Sequence, residues 1–197
     1  VVIQYLLQEK MFDASWITGI RLIGGGSILL LMDKIIYHGR TLSIWNRSGR
    51  KDIIIFSLFG MLGTQYTYTE TILYSNAATA TILQYLMPII ILLYMLLSEQ
   101  RKPMIKESIC MLMAVIGTFL LVTKGSFDTL AISKEALFWG LICAFAGAFY
   151  TLQPRNMLKR YNSSLVVGWG MFGGGIILSF FQSPFDFKGI FDIGAAA

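Results

Sequence analysis

The sequence predicts an all-α integral membrane protein, planned as an inverted repeat of two five-helix units and represented here by about seven spans. Composition, an internal repeat and alternating loop charge carry that expectation. Of 197 residues, 55% are hydrophobic and 14% charged, and the mean hydropathy is +0.65. Soluble domains carry about 25% charged residues, so there is too little polar side chain here to cover a water-exposed surface. The charges cluster between apolar runs approaching the ~20 residues a helix needs to cross a bilayer. Runs such as 82–97 do not alternate, which argues against a transmembrane β-barrel.

Nine of the 26 residues from Gln4 to Leu29 recur without a gap 149 positions later, including Gln4/Gln153, Lys10/Lys159, Ser15/Ser164, Gly19/Gly168 and Ile28-Leu29/Ile177-Leu178. Gly24-Gly25-Gly26 recurs as Gly173-Gly174-Gly175, and Phe12/Tyr161, Asp13/Asn162 and Ile17/Val166 continue the pattern. Duplicated helical halves are a recurring plan of secondary transporters.

In chain order, the pattern predicts a partial span ending near Leu7, then spans at 15–37, 52–74, 77–97, 105–123, 136–153 and 163–181. A further span is expected to begin near Phe191. Residues 1–124 read as a first unit with an incomplete first helix, and 134–197 as the start of a second. A duplicated unit of this size implies a whole protein of about 300 residues and ten spans, with counterparts of roughly 48–123 following Ala197.

Alternate loops differ in charge. Lys34, Arg40, Arg47, Arg50, Lys51, Arg101, Lys102, Lys106, Arg155, Lys159 and Arg160 flank or fill the loops near 38–51, 98–106 and 155–162. The opposite loops hold Lys10, Lys124, Lys134 and Lys188 among six acids. The positive-inside rule therefore places the first set in the cytoplasm of a multi-pass cell-membrane protein. The first copy of the repeat carries Glu9, Lys10 and Asp13 in its leading loop, the second Arg155, Lys159 and Arg160. Equivalent loops fall on opposite sides, so the second copy is expected to be upside down.

The net charge of +5 is thus a topology signal, and nucleic acid is not expected as a partner. Membrane lipid and a small-molecule substrate are, and a homodimer is compatible. Cys110 and Cys143 lie in apolar runs and His38 stands in a polar loop without ligand neighbours, so no metal, cofactor or catalytic set is expected. No basic region precedes the first apolar stretch as a signal peptide would require.

The stretch from Gln65-Tyr66-Thr67-Tyr68-Thr69-Glu70 through Asn76-Ala77-Ala78-Thr79-Ala80-Thr81 to Gln84-Tyr85-Leu86-Met87-Pro88 resembles the third-to-fourth-helix signature of EamA-type proteins of the drug/metabolite transporter superfamily. Glu99-Gln100-Arg101-Lys102-Pro103 resembles the loop that follows it there, and Trp139-Gly140 with Lys159-Arg160-Tyr161 the opening of the second EamA unit. The resemblance implies a ten-helix exporter of small metabolites or drugs, made of two inverted EamA units working by alternating access.

Pro88 falls near the middle of the fourth span, where it removes a donor and frees the carbonyl of Gln84. Such interrupted helices mark transporter sites, although neighbouring helices can also simply heal a kink. Glu70 lies about a turn inside its span, where a carboxylate must face the bundle interior, water or a cation. Arg21 sits at a similar depth and is its candidate partner; a structural pair or snorkelling is the alternative. Tyr66, Gln84 and Tyr85 are candidate cavity-lining residues, as is Trp169 for stacking on an apolar substrate. The triplets Gly24, Gly25, Gly26 and Gly173, Gly174, Gly175 suit close helix crossing or a hinge. Competing classes are a membrane enzyme, for which no nucleophile–base set is present, a seven-helix receptor, which gives an inverted repeat no purpose, and a flippase-like accessory subunit for lipid-linked cargo.

Overall fold

The computed structural model describes residues 2–8, 13–37, 42–46, 49–99, 104–123 and 132–181. Every regular element among them is helical: α1 (Val2–Gln8), α2 (Ala14–Tyr37), α3 (Gly49–Ile55), α4 (Gly63–Tyr74), α5 (Ala77–Gln84), α6 (Met87–Glu99), α7 (Ile105–Thr123), α8 (Lys134–Leu152), α9 (Arg155–Leu158) and α10 (Ser163–Phe181). A π-helical stretch, Phe56–Leu62, joins α3 to α4, and a 3-10 turn, Ser43–Trp45, precedes α3. Among the described residues, four stretches are long and apolar enough to cross a membrane: Ala14–Ile36, Ala77–Ser98, Lys134–Leu158 and Ser163–Phe180. The expected span near Phe191 and much of the expected loops at 38–51 and 98–106 lie outside the described residues.

Helix starts follow from capping side chains. The Asp13 carboxylate accepts from Ser15 N–H at 2.9 Å ahead of α2, Asn76 accepts from Thr79 N–H at 2.8 Å ahead of α5, and Ser133 from Ala136 N–H at 3.1 Å ahead of α8. Each satisfies a backbone donor that the first turn leaves without an intrahelical partner. The Ser133 hydroxyl also donates to the Tyr74 carbonyl at 3.1 Å, tying α8 to the end of α4.

Between α5 and α6 the ladder is interrupted. Leu86 N–H turns back to the Leu83 carbonyl at 3.1 Å and Ile89 N–H to that of Leu86 at 3.0 Å. Pro88 has no N–H to offer Gln84, and its ring crowds that turn, so one membrane-length segment is divided at Tyr85–Leu86.

The closest packing joins α2 to α10, and glycines allow it. A Cβ on Gly26 would stand 2.5 Å from the Phe172 backbone nitrogen, and one on Gly175 would stand 3.0 Å from the Ile23 backbone nitrogen. Shifted by the 149-residue repeat, Gly26 becomes Gly175 and Ile23 becomes Phe172, so the two contacts are reciprocal. The same holds for a second pair: Gly19 faces Leu178 at 3.7 Å, and Gly168 faces Leu29 at 3.3 Å. Rising positions on α2 meet falling positions on α10, so the helices run antiparallel. Without a hydrophobic drive inside lipid, such backbone proximity supplies the van der Waals contact that holds helices together.

Gly173 and Gly174 turn to a different neighbour. Their missing side chains leave room for Ser57 and Leu62 of the π-helical stretch, with the Ser57 carbonyl 3.1 Å from a Cβ on Gly174. Gly25 faces the flexible Met171 side chain, whereas Gly24 has nothing within 4 Å. Beyond these glycines, Ile44, Ile53, Phe56, Met61, Met157, Leu165 and Val166 form a buried cluster at the end of the bundle that holds the 3-10 turn.

Candidate functional site

Four threonines lie on α4, and three of them bond to their own helix. Thr67 donates to the Gly63 carbonyl at 2.7 Å, Thr69 to that of Gln65 at 2.9 Å and Thr71 to that of Thr67 at 2.7 Å. This back-bonding is how a hydroxyl away from water satisfies itself on a helix. Thr64 differs. It follows the π-helical stretch, where the Gly60 carbonyl accepts from Gly63 N–H, and its Oγ1 is buried with no hydrogen-bond partner among the described residues. π-Helical insertions re-aim side chains in this manner and recur at functional sites.

Thr64, Gln65, Tyr68, Gln84 and Arg21 line a polar cavity of about 140 Å³ between α2, α4 and α5. The Arg21 side chain is exposed and engages no ion pair or hydrogen bond among the described residues. The Tyr68 hydroxyl lies 3.0 Å from that of Thr81, and Thr81 spends its own hydrogen on the Ala77 carbonyl at 2.8 Å. Tyr68 is therefore the donor of that pair, and its oxygen presents only lone pairs to the cavity.

Glu70 is 8% exposed and accepts from the Tyr66 hydroxyl, which Ser15 meets from α2. Asp13 stands close enough to act on it electrostatically. Tyr66 also sets its ring edge against Trp139 at 6.0 Å. The Glu70–Arg21 partnership expected from depth does not form. At 100° per residue, Thr64, Gln65 and Tyr68 fall on one side of α4, and Tyr66 and Glu70 on the other. The Thr18 hydroxyl meets that of Thr69 at 3.1 Å, which sets Glu70 nearer the start of α2 than Arg21, and rotation about α4 separates the two charges further.

The remaining candidates are dispersed. Trp169 packs its ring against Trp45 at 5.1 Å and Phe172 at 5.9 Å, beside the Ile44–Phe56 cluster and away from Gln84. Tyr85 is 68% exposed, at the break between α5 and α6. Pro88 is exposed as well. Of the expected cavity residues the structure thus unites Gln84 with Arg21, and Tyr66 with Glu70, as two separate groups.

Two polar residues escaped the sequence reading. Thr64 looks like any threonine of the run, and only the π-helical offset distinguishes it. Asp33, not singled out in the sequence, is 1% exposed on α2 with a buried Oδ1 that has no partner among the described residues. No group of three or more metal-ligating side chains occurs among the described residues.

A helical bundle of membrane-length apolar segments, with a polar cavity at an interrupted helix and glycine-mediated contacts between repeated segments, defines a multi-span membrane protein. Residues 1–123 match the EamA-like transporter family, and the chain belongs to it. It is 43% identical over 184 residues to a Salmonella typhimurium (strain LT2) protein named "uncharacterized inner membrane transporter YicL". That match covers 92% of this chain and 61% of the relative, so the chain spans about three fifths of the length of the curated protein it resembles. No solved structure matches.

Proposed function

We propose that the protein moves a small solute across the membrane by alternating access, with two inverted EamA units rocking about a cavity between them. The observation that carries this reading is the reciprocity of the α2–α10 contacts. Gly26 against Phe172 and Gly175 against Ile23 are one contact seen from each copy, as a self-complementary twofold interface requires. Because the two helices are antiparallel and span the bilayer, the axis relating them lies in the membrane plane, near Gly24 and Gly173. That is the symmetry of inverted repeats, whose solute sites sit near the midplane at the repeat interface. The interruption at Pro88 beside the Arg21–Gln84 cavity fits the same plan.

The units are residues 1–124 and the segment beginning near 134. The basic loops near 38–51, 98–106 and 155–162 are assigned to the cytoplasm by their charge. Export is the proposed direction, following the family resemblance. Transport is favoured over catalysis because the polar residues of the cavity are an arginine, amides and hydroxyls, without the base or nucleophile pair a reaction needs.

The test is counterflow of pooled small metabolites in reconstituted vesicles. Flux above protein-free vesicles is expected, and Gly26→Leu or Gly175→Leu should abolish it by wedging α2 from α10. Absence of flux for every pool, or unchanged flux in both variants, contradicts the proposal.

A further inference from the structure

We propose that the Arg21 cavity is an anion site that takes a small organic carboxylate carrying a hydroxyl on the neighbouring carbon. The inference rests on the transporter reading and names the solute class its cavity selects. An arginine within a membrane span is costly unless it meets an anion, water or another protein group. Arg21 lies seven residues into α2, about 10 Å from its start at 1.5 Å per residue, and has no protein partner among the described residues. Asp13, at the head of the same helix, is about 12 Å back along the axis, and Glu70 faces the opposite side of α4. Neither acid neutralises the guanidinium.

The donors around it suit a carboxylate. The guanidinium offers a planar fork that binds both oxygens at once. Thr64, a lining residue that is 8% exposed, has a buried hydroxyl with no partner among the described residues, a penalty that a ligand oxygen reached by a turn of its side chain would relieve. Gln65 and Gln84 contribute amide groups that can donate or accept. The Tyr68 oxygen, its hydrogen already given to Thr81, accepts only. The lining therefore sorts into donors for an anionic head and one fixed acceptor for a ligand O–H. A volume of about 140 Å³ exceeds the ~30 Å³ share of one water molecule several times over. It admits a carboxylate head with a few carbon atoms.

The experiment uses Cys110→Ser protein in lipid nanodiscs, with Gln65→Cys as reporter and Cys143 left in its buried position. Rates of modification by an anionic and a cationic methanethiosulfonate reagent are compared with Arg21 present, as Arg21→Lys, and as Arg21→Gln. With Arg21 the anionic reagent should be favoured roughly tenfold, the factor that 1.4 kcal/mol of charge attraction gives. Lactate should slow modification, while its methyl ester should not. Arg21→Lys should keep the charge preference but lose most of the lactate protection, and Arg21→Gln should lose both. Equal rates for the two reagents in all three proteins, or protection by the ester equal to that by lactate, overturn the proposal. A level ratio alongside vesicle flux would sink the anion site alone. An anion preference without flux would sink transport and leave the site standing.

Discussion

The α2–α10 crossing makes Gly26→Ala and Gly24→Ala a matched pair that differ only in what the new methyl group meets. At Gly26 the Cβ would lie 2.5 Å from the Phe172 nitrogen, 2.9 Å from its Cα and 3.0 Å from the Gly168 carbonyl oxygen. All three are backbone atoms, so no rotamer change can relieve the overlap. Ordinary contact begins near 3.5 Å, so the helices must part by about 1 Å, a gap that forfeits a quarter to a half of each nearby dispersion contact. Overpacking of this kind costs about 1–3 kcal/mol, offset in part by the roughly 1 kcal/mol alanine gains over glycine in a helix. At Gly24 nothing lies within 4 Å, so only the propensity gain remains. The pair should differ by about 2 kcal/mol, or roughly 4–8 °C in melting temperature for a chain of this size. Cys143 is 1% exposed, so its reaction with a thiol-reactive dye on heating, in Cys110→Ser protein, reports the loss of packing. Gly175→Ala, with Ile23 at 2.6 and 3.0 Å, should behave like Gly26→Ala. Equal melting of the Gly24 and Gly26 variants would refute the reasoning.

Three further outcomes follow from the same structure. Asp33→Asn should raise the melting temperature by a few degrees, because it removes a buried carboxylate with an unpartnered oxygen and the desolvation it suffers; a fall would reveal a partner that holds the charge. Glu70→Gln keeps an acceptor for Tyr66 and should cost under about 1 kcal/mol, whereas Glu70→Leu strands that hydroxyl and should cost about 1–3 kcal/mol; equal melting of the two would refute this. Trp169→Phe retains an aromatic ring between Trp45 and Phe172 and should leave vesicle flux within about twofold (under ~0.5 kcal/mol), while a large drop would place Trp169 on the solute path.

Much of the architecture was legible in the residues because bilayer thickness imposes one length on every span and the repeat shows through identity. The six expected spans correspond to α2, the run from α3 to α4, α5 with α6, α7, α8 and α10. Pro88 announced the division of the fourth span through its chemistry alone. Rotation was not legible. Counting residues from the span ends gave Glu70 and Arg21 similar depths, but a π-helical turn upstream and the placement of α2 decide which residues meet, and those are properties of packing. The same turn gives Thr64 its unused hydroxyl, which no spacing rule marks. Trp169 is a similar case: the sequence offers it for stacking on a substrate, yet Trp45, brought in by the short 3-10 turn, packs against its ring.

The most direct check of the whole account is sidedness at equivalent points of the two copies. Asp13→Cys and Asn162→Cys, each introduced alone into a background without Cys110 and Cys143, should react with a membrane-impermeant maleimide from opposite faces of sealed, uniformly oriented vesicles. Labelling of both from the same face would mean that the copies are parallel, and a cavity gated by two inverted units could not exist.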